Sequence, residues 1–162
     1  MSHQPAADMQ ATSLARSIDA GEIDAEIVAP GVPTPTVSDA AHALGVSEDQ
    51  IVKSLLFADR DGHNVLAVVT GSARVNRVKL ATSAGFGKVK LADPDVVLAC
   101  TGYPAGGTPP VGHRERLRVI VDRGVMDHEV VFGGGGAHDL LLRITPAEIV
   151  RCAAAKVDDI VE

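Results

Sequence analysis

Cysteine and long apolar runs are both scarce in this chain. The two cysteines, Cys100 and Cys152, stand among small apolar residues and not in a CxxC spacing. This setting favours two buried reduced thiols over redox or metal chemistry. No apolar run approaches the ~20 residues that span a bilayer, and Met1–Asp8 has neither the basic nor the apolar region of a signal peptide. We therefore expect a soluble cytoplasmic protein with no membrane partner.

Positive charge is also in short supply. The 162 residues include 15 Lys and Arg against 21 Asp and Glu, for a net charge of −6. Coating duplex nucleic acid requires excess cation, so a non-specific DNA-binding protein is excluded, whereas local binding of a nucleic-acid end is compatible with this balance. The length suits one compact domain that needs no metal or disulfide to be stable.

Local patterns predict the order of the elements. Residues 1–12 are expected to be disordered, and residues 13–162 to form a single domain. Helices are predicted at Ser13–Ala20, Asp39–Leu44, from a Ser72 cap to about Thr82, at Asp95–Thr101 and from Thr145 to about Ala155. Strands are predicted at Ile51–Ala58, Asn64–Val69, Val89–Leu91, Leu117–Val121, Glu129–Phe132 and Leu140–Ile144. This alternation indicates an α+β fold with a mixed, largely antiparallel twisted sheet and surrounding helices.

Several well-known site motifs are missing. The six histidines show no HExxH or Cys/His ligand spacing, and the sequence holds no Gly-x-Ser-x-Gly elbow. The run Gly133–Gly136 has neither the Lys-[Ser/Thr] of a P-loop nor a Gly-x-Gly-x-x-Gly pattern. These absences argue against a zinc hydrolase, an elbow-type serine hydrolase and a nucleotide-binding fold. The first interpretation of the glycine run is a hairpin turn.

Lys53 is the first candidate functional residue. On a strand it shares a face with Ile51, Leu55 and Phe57, so its ammonium projects from an otherwise apolar face. Its stem could simply lie on apolar surface with the head in solvent. Alternatively, the lysine lines a cleft and holds an anionic or carbonyl oxygen of a ligand.

The segment Gly102–His113 is the second candidate. It has four glycines and three prolines in twelve residues and must be a loop. Glycines let backbone amides approach a ligand, and prolines fix the path of the chain, so the loop could hold a carbonyl oxygen as it becomes an oxyanion. An ordinary stiffened surface loop is an equal alternative.

Basic residues also cluster in two places, where they could dock phosphates or form solvated faces. One cluster is Arg74, Arg77, Lys79, Lys88 and Lys90, and the other is Arg114, Arg116, Arg118 and Arg123.

Four features in order resemble the YbaK/ProX family, the free-standing relatives of the editing domain inserted in prolyl-tRNA synthetase. They are the strand Ile51–Phe57, the helix start Ala92-Asp93-Pro94, the run from Thr101 through Gly106–Pro110 to Gly112, and the late glycine turn followed by Asp139. The resemblance spans roughly residues 24–159. It implies the YbaK-like fold and a metal-independent, cofactor-free aminoacyl-tRNA deacylase acting in trans, commonly on mischarged tRNA(Pro) carrying Cys, Ala or another small amino acid.

The resemblance also assigns roles to residues. The family's lysine corresponds to Lys53 and its Gly-x-x-x-Pro loop to Gly106–Pro110. We hypothesise that Lys53 and Gly106 are catalytic, with Lys53 anchoring the 3′ end and the amides around Gly106 polarising the ester carbonyl. The residues expected to bind substrate are Gly107, Thr108, Pro110, Gly133, Gly134 and Asp139. The expected partners are the tRNA acceptor end and, in addition, prolyl-tRNA synthetase.

Two departures keep other functions open. Family members that clear cysteine usually have a tyrosine in the extended segment before the lysine strand, but here that segment, Ile27–Gly31, has none. Phe132 stands where some members have a serine entering the glycine turn. Both positions are expected to touch the aminoacyl group. The first alternative is a non-catalytic module that binds an aminoacyl-adenosine-like ligand or a synthetase, and the second is a small-molecule hydrolase unrelated to tRNA.

Overall fold

The computed structural model describes residues 6–162, with side chains from Ser13 onward. The first helix begins at Ala6, seven residues before the predicted start at Ser13. The disorder expected for residues 1–5 lies outside the described residues. Between residues 6 and 162, no helix has the length and apolar character needed to cross a membrane.

Five helices and eight strands make up the described chain. The helices are α1 (Ala6–Asp19), α2 (Val37–Leu44), α3 (Arg77–Ala84), α4 (Pro94–Thr101) and α5 (Pro146–Ala153). The strands are β1 (Ala25–Val28), β2 (Val52–Asp59), β3 (Asn64–Thr70), β4 (Val89–Leu91), β5 (Arg118–Asp122), β6 (Val131–Gly134), β7 (Leu141–Ile144) and β8 (Lys156–Asp158).

The α+β class is confirmed, and the strands divide into two sheets. A three-stranded sheet has the order β1-β7-β6 with antiparallel pairs. A five-stranded sheet has the order β4-β2-β3-β5-β8, in which β2 pairs antiparallel with β3 and β4 while β5 runs parallel to β3 and β8. The pairing is thus mixed and largely antiparallel, as predicted.

The five-stranded sheet is covered on both faces. Its central strand β3 has Val65–Val69 fully buried, which explains the continuous apolar run there. On one face, Val52, Leu56 and Val68 pack with α1, α4, α5 and the small sheet; on the other, Phe57, Val65 and Val69 pack with α3 and Ile160. A third cluster joins α2 to Ile51, Phe132 and Leu141.

Helix α3 begins later than predicted. The side chain of Asn76 accepts hydrogen bonds from the backbone N–H groups of Val78 and Lys79, so Asn76 is the N-cap. Ser72, the predicted cap, donates its hydroxyl to Asp49 instead. Both side chains are competent caps, and both positions also have tertiary partners, since the backbone N–H of Asn76 donates to the carbonyl of Ile160 at 2.8 Å.

The glycine run is shared between a strand and a turn. Gly133 and Gly134 belong to β6 and pair with Leu142 and Leu141 of β7, so the predicted turn over Gly133–Gly136 is wrong for its first half. The short strands β1 and β8 were not predicted at all. By contrast, the predicted starts of α4 at Asp93-Pro94 and of α5 at Thr145-Pro146 are confirmed.

Candidate active site

The loop Gly102–His113 packs against the glycine run. The backbone N–H of Gly136 donates to the carbonyl of Gly107 at 2.9 Å. A Cβ on Gly134 would lie 2.8 Å from the carbonyl carbon of Gly107, and one on Gly133 would lie 3.1 Å from Cδ of Pro110. The two segments therefore meet backbone to backbone, which only glycine permits at Gly134.

Polar contacts on the far side of this loop hold its two ends. The Tyr103 hydroxyl donates to the carbonyl of Gly112 at 2.9 Å, and the imidazole Nε2 of His113 lies 2.7 Å from the carbonyl of Pro109. The hydroxyl of Thr108, itself buried, donates to the carbonyl of Pro104 at 2.9 Å. Burial lowers the pKa of His113 below its ordinary value, which favours the neutral ring. Hydrogen bonds between residues of the loop itself thus restrict its conformation.

A hollow of about 900 Å³ opens on the other side of the loop. Its floor and walls come from three segments, the loop at Gly106, the turn at His138 and Asp139, and the extended chain between β1 and α2. The lining residues are Ala29, Gly31, Val32, Pro33, Thr34, Pro35, Gly106, His138 and Asp139. The predicted site residues Gly106 and Asp139 therefore lie in one hollow.

The Gly106 amide is available in this hollow. Gly106 lies in a short 3₁₀ turn, Ala105–Gly107, in which the Gly107 N–H donates to the carbonyl of Pro104. Within the part of the chain whose side chains are described, the Gly106 N–H donates no hydrogen bond. An amide without an internal acceptor is suited to bind a carbonyl oxygen or an anion.

Lys53 lies at the start of β2 with its side chain partly buried. Its Nζ donates to the carbonyl of Gly71 at 3.3 Å, which leaves two of the three ammonium donors for other groups. Burial lowers the pKa of Lys53 below its ordinary value. Among the described residues, those lining the hollow do not include Lys53.

One chain segment connects the lysine to the hollow. A Cβ on Gly71 would lie 2.5 Å from Cγ1 of Val37, the first residue of α2. Val37 follows Pro35, which lines the hollow, by two residues. The carbonyl that holds the ammonium is therefore packed against the end of the hollow's extended wall.

The remaining predicted binding residues occupy the contact between loop and glycine run. Gly107, Thr108, Pro110 and Gly133 are buried there, and Gly134 is partly buried. They shape the backbone at the edge of the hollow and are not among its lining residues in the described chain.

Sequence reasoning missed two hollow residues. The hydroxyl of Thr34 is buried and has no hydrogen-bond partner within the described chain. The imidazole of His138 lies over Gly106, since a Cβ on Gly106 would be 3.2 Å from its Cε1. The Pro-Thr-Pro sequence around Thr34 gave a signal for an extended wall, but nothing in the sequence showed what the wall faces.

A group of metal-type side chains lies elsewhere. In the described residues, Asp59, Asp61 and His63 gather at the turn between β2 and β3. Their internal bonds account for the grouping, because Asp59 already accepts from His63 Nδ1 at 2.9 Å and from the backbone N–H groups of Asp61 and His63. The grouping provides no reason to expect a metal.

Comparison with known proteins identifies the family of the chain. Residues 32–152 match the aminoacyl-tRNA editing domain family. The chain is 44% identical over 94 residues to proline–tRNA ligase of Nitratidesulfovibrio vulgaris strain DP4, covering 56% of this chain and 16% of the ligase. It is 32% identical over 122 residues to an uncharacterized protein, YwhH, of Bacillus subtilis strain 168, covering 75% and 77% of the two chains.

Solved structures extend the likeness over the whole fold. A crystal structure of a candidate trans-editing enzyme for prolyl tRNA synthetase superposes with a TM-score of 0.85 at 32% identity, covering 99% of both chains. A hypothetical protein superposes with a TM-score of 0.84 at 37% identity, covering 93% of this chain and 99% of the other. The chain therefore belongs to the aminoacyl-tRNA editing domain family, the family of YbaK and of the editing domain of prolyl-tRNA synthetases.

Proposed function

We propose that this chain is a trans-editing deacylase that hydrolyses the ester of mischarged tRNA, with tRNA(Pro) carrying Cys, Ala or another small amino acid as the substrate. Its family is defined by aminoacyl-tRNA editing. The likeness to a proline–tRNA ligase supports tRNA(Pro) as the tRNA. The near-complete overlap with the candidate trans-editing enzyme supports action in trans.

The observation that carries this proposal is that Gly106, on a loop held by internal contacts, is exposed at the hollow and that its backbone N–H donates no hydrogen bond within the described chain. An ester carbonyl becomes an oxyanion during hydrolysis, and a fixed amide stabilises that charge with little reorganisation. The contacts of Gly107 with the glycine run and of Tyr103 with Gly112 supply the rigidity. In this proposal Gly106 is the oxyanion donor, and Gly107, Thr108, Pro110, Gly133 and Gly134 fix its position.

Lys53 is proposed to anchor the 3′ end. A partly buried ammonium with two free donors binds a phosphate or ribose oxygen more strongly than an exposed one, because surrounding water competes less. Its position beside the hollow's wall, through Gly71 and Val37, supports this role. Asp139 lines the hollow and is proposed to bind the substrate's ammonium or a hydroxyl group.

The reaction needs no protein nucleophile. A water oxygen attacks the ester carbonyl carbon, and the electron pair of the C=O bond moves to the oxygen held by Gly106. The pair then returns, the bond from carbonyl carbon to ribose oxygen breaks, and that oxygen takes a proton released by the attacking water. The products are a free amino acid and a tRNA with an intact 3′-terminal hydroxyl. We propose that no metal or cofactor takes part.

The walls of the hollow favour a small aminoacyl group. They include Ala29, Val32 and two prolines, and the tyrosine that some relatives carry in this segment is missing. Phe132 does not replace the missing serine, because it is buried in the cluster beneath α2.

A panel of mischarged tRNAs tests the proposal. tRNA(Pro) carrying Pro, Ala, Cys, Ser or Thr is incubated with catalytic amounts of the protein, with and without EDTA and prolyl-tRNA synthetase, and released amino acid is measured. We expect release of a small non-cognate amino acid, sparing of Pro-tRNA(Pro), and no effect of EDTA. Absence of release from every tRNA would overturn the proposal.

A second function is a non-catalytic module that binds the aminoacyl end. The two observations that favour it are the missing tyrosine and the burial of Phe132 at the serine position. In the same panel this module would slow spontaneous hydrolysis of the ester at stoichiometric concentration. The deacylase would accelerate hydrolysis at catalytic concentration, so the sign of the rate change separates the two functions.

A further inference from the structure

A second, larger groove of about 1290 Å³ lies away from the candidate site. It is formed by the turn after β2, one face of α3 and the segment leading into β4. Four cationic side chains line it, Arg60, Arg77, Lys88 and Lys90. We refer to this surface as the basic groove.

The cations of the basic groove are not neutralised within the described chain. Among the side chains described, from Ser13 to Glu162, no acidic group forms an ion pair with Arg60, Arg77, Lys88 or Lys90, and Arg77 stacks over the ring of Phe57. Other basic side chains are occupied. Arg123 and Lys156 both pair with Asp158, and Arg118 donates to the carbonyl of Ala84.

Two acids, Asp59 and Asp61, also line the basic groove and reduce the formal charge of its four cations from +4 to +2. Asp59 is turned inward, with 7% of its side chain exposed, and binds the imidazole of His63. Asp61 is exposed and is the one carboxylate at the groove that meets solvent freely. A locally positive surface on a chain of net charge −6 is a specific attraction for phosphate, because the rest of the molecule repels it.

The distance between the basic groove and Lys53 determines which ligand can contact both. Lys90 pairs with Ala58, and Ala58 lies five residues after Lys53 on the same strand. At ~3.3 Å per residue the groove begins about 17 Å from Lys53 along β2. Since both faces of β2 are covered, a nucleic acid whose last nucleotide lies at Lys53 must follow the edge of the sheet at β4 to place upstream phosphates over the groove.

We propose that the basic groove binds the sugar-phosphate backbone of the tRNA acceptor stem while the 3′ end occupies the candidate site. This inference rests on the proposed function and names the part of the tRNA that is bound outside the reacting end. A duplex carries closely spaced phosphates, one per ~3.4 Å of helix axis on each strand of B-DNA, so several of them can meet four cations at once. Contacts of this kind set orientation and affinity without reading the sequence.

A protein strand is a less suitable occupant. Strand β4 is an edge of the five-stranded sheet and could in principle pair with another chain. Strand β4 has only three residues, however, with Lys90 at its centre and Lys88 directly before it. Short edge strands with lysines are a feature that prevents strand addition.

The test compares two double variants with the same change in net charge. Lys88→Gln/Lys90→Gln removes two cations of the groove, and Arg123→Gln/Lys156→Gln removes two cations that are paired with Asp158. Each protein is assayed on full-length mischarged tRNA and on a short aminoacyl-oligonucleotide that lacks the stem, over a range of salt concentrations. Binding of uncharged tRNA is measured in parallel, and thermal unfolding verifies that each variant is folded.

We expect the groove variant to raise KM for full-length tRNA by about ten-fold and to reduce the salt dependence of binding by about 2 in log–log slope. Its kcat, and its rate on the short ester, should match wild type, as should all values for the control variant. Equal effects of both variants, or no effect of either, would overturn the inference. Loss confined to association with prolyl-tRNA synthetase would also overturn it, in favour of a protein partner.

The two proposals fail in different ways. If wild type binds uncharged tRNA through the groove but hydrolyses no ester, the deacylase proposal is wrong and the groove assignment stands. If wild type deacylates and the groove variant matches it in both KM and salt dependence, the groove assignment is wrong and the deacylase proposal stands.

Discussion

Lys53 illustrates how a single charged side chain on an apolar face gains a defined environment. The strand alternation that predicted its direction also places it beside Val69 of β3, and the carbonyl of Gly71 accepts one of its protons. One backbone carbonyl does not neutralise an ammonium. A further anionic or polar partner is consistent with the two remaining donors, and this makes the residue a direct test of the proposed function.

Replacing Lys53 with Ala should lower the deacylation rate by about 10²-fold or more, because the 3′ end loses its anchor and its orientation. The fold should persist, since the side chain is partly exposed and makes one hydrogen bond. Lys53→Arg is the matched control, as it keeps the charge and changes the geometry. Deacylation by Lys53→Ala at the wild-type rate, with an unchanged circular dichroism spectrum, would remove Lys53 from the mechanism.

The pH dependence of the same reaction should follow Lys53. Burial lowers the pKa of Lys53 below the usual 10.5. The charged form, which the proposed role requires, dominates below that pKa. Activity should therefore be full at neutral pH and should fall as the pH rises through the lowered value, earlier than an exposed lysine would titrate. Rates corrected for spontaneous ester hydrolysis measure this, and the decline should be absent from the residual activity of Lys53→Ala.

Gly134 gives a second test at the residue scale. A Cβ there would lie 2.8 Å from the carbonyl group of Gly107, so Gly134→Ala must push the loop away from β6. We expect a loss of about 1–3 kcal/mol in the free energy of unfolding and a deacylation rate lower by about 10²-fold from the displaced amide. Gly87→Ala is the control, because nothing lies within 4 Å of a Cβ at Gly87. Equal behaviour of the two variants would show that loop position does not set the rate.

Helix α5 shows how one element fastens the start of the small sheet. The carboxylate of Glu148 accepts a hydrogen bond from the backbone N–H of Asp24 at 2.8 Å, and Arg151 donates to the carbonyl of Glu22 at 3.0 Å. These bonds hold the chain just before β1, and β1 leads directly to the extended wall of the hollow. The helix was predicted from its Thr-Pro start, but its long-range partners were not.

The link through Glu148 predicts a pH-dependent part of stability. Hydrogen bonds from Arg151, with a smaller contribution from Asp24, hold the pKa of Glu148 at about 2, against 4.5 ordinarily. Because the folded state has the lower pKa, this stabilisation is full above pH 4.5 and is lost as the pH falls towards 2. Glu148→Gln should cost about 1 kcal/mol at pH 7, and its deficit should shrink towards pH 2.

Urea unfolding of wild type and Glu148→Gln at pH 7, 4.5 and 3 measures this difference. Glu129→Gln is a suitable control, since Glu129 is exposed and has no ion-pair partner within the described chain. A deficit for Glu148→Gln that is constant from pH 7 to pH 3 would contradict the assignment of the bond to the ionised carboxylate.

The elements also show where sequence reasoning succeeds and where it ends. The β2–β3 hairpin and the starts of α4 and α5 were predicted because alternation, turn residues and caps are local signals. Strands β1 and β8 were missed, since each is short and is defined only by partners more than thirty residues away. The site behaves likewise: motif resemblance singled out Gly106 and Asp139, whereas Thr34 and His138 become visible only when distant segments meet at one hollow.

At the scale of the whole molecule, the C-terminal segment closes the five-stranded sheet on the side away from the small sheet. Ile160 is fully buried with Leu80 and Phe57, and its backbone N–H donates to the buried carboxylate of Asp122 at 3.0 Å. The backbone N–H of Asn76 donates to the carbonyl of Ile160 at 2.8 Å, so the segment also fastens α3. None of these residues is among those lining the hollow in the described chain. The C-terminal segment thus stabilises the fold without lining the hollow.

Because Ile160 packs in the core and does not line the hollow, we expect Ile160→Ala to weaken the fold without changing the reaction. Removing the buried side chain should lower the free energy of unfolding by about 2–5 kcal/mol, because it leaves a cavity between α3 and the sheet. Deacylation per folded molecule should equal that of wild type at temperatures well below the new melting point. Val161→Ala, at a partly buried neighbouring position, should cost less. Urea unfolding measures the free energy of unfolding, and single-turnover rates at 15 and 25 °C measure the reaction. A rate that falls in Ile160→Ala while the protein is still folded would show that packing at Ile160 affects the site.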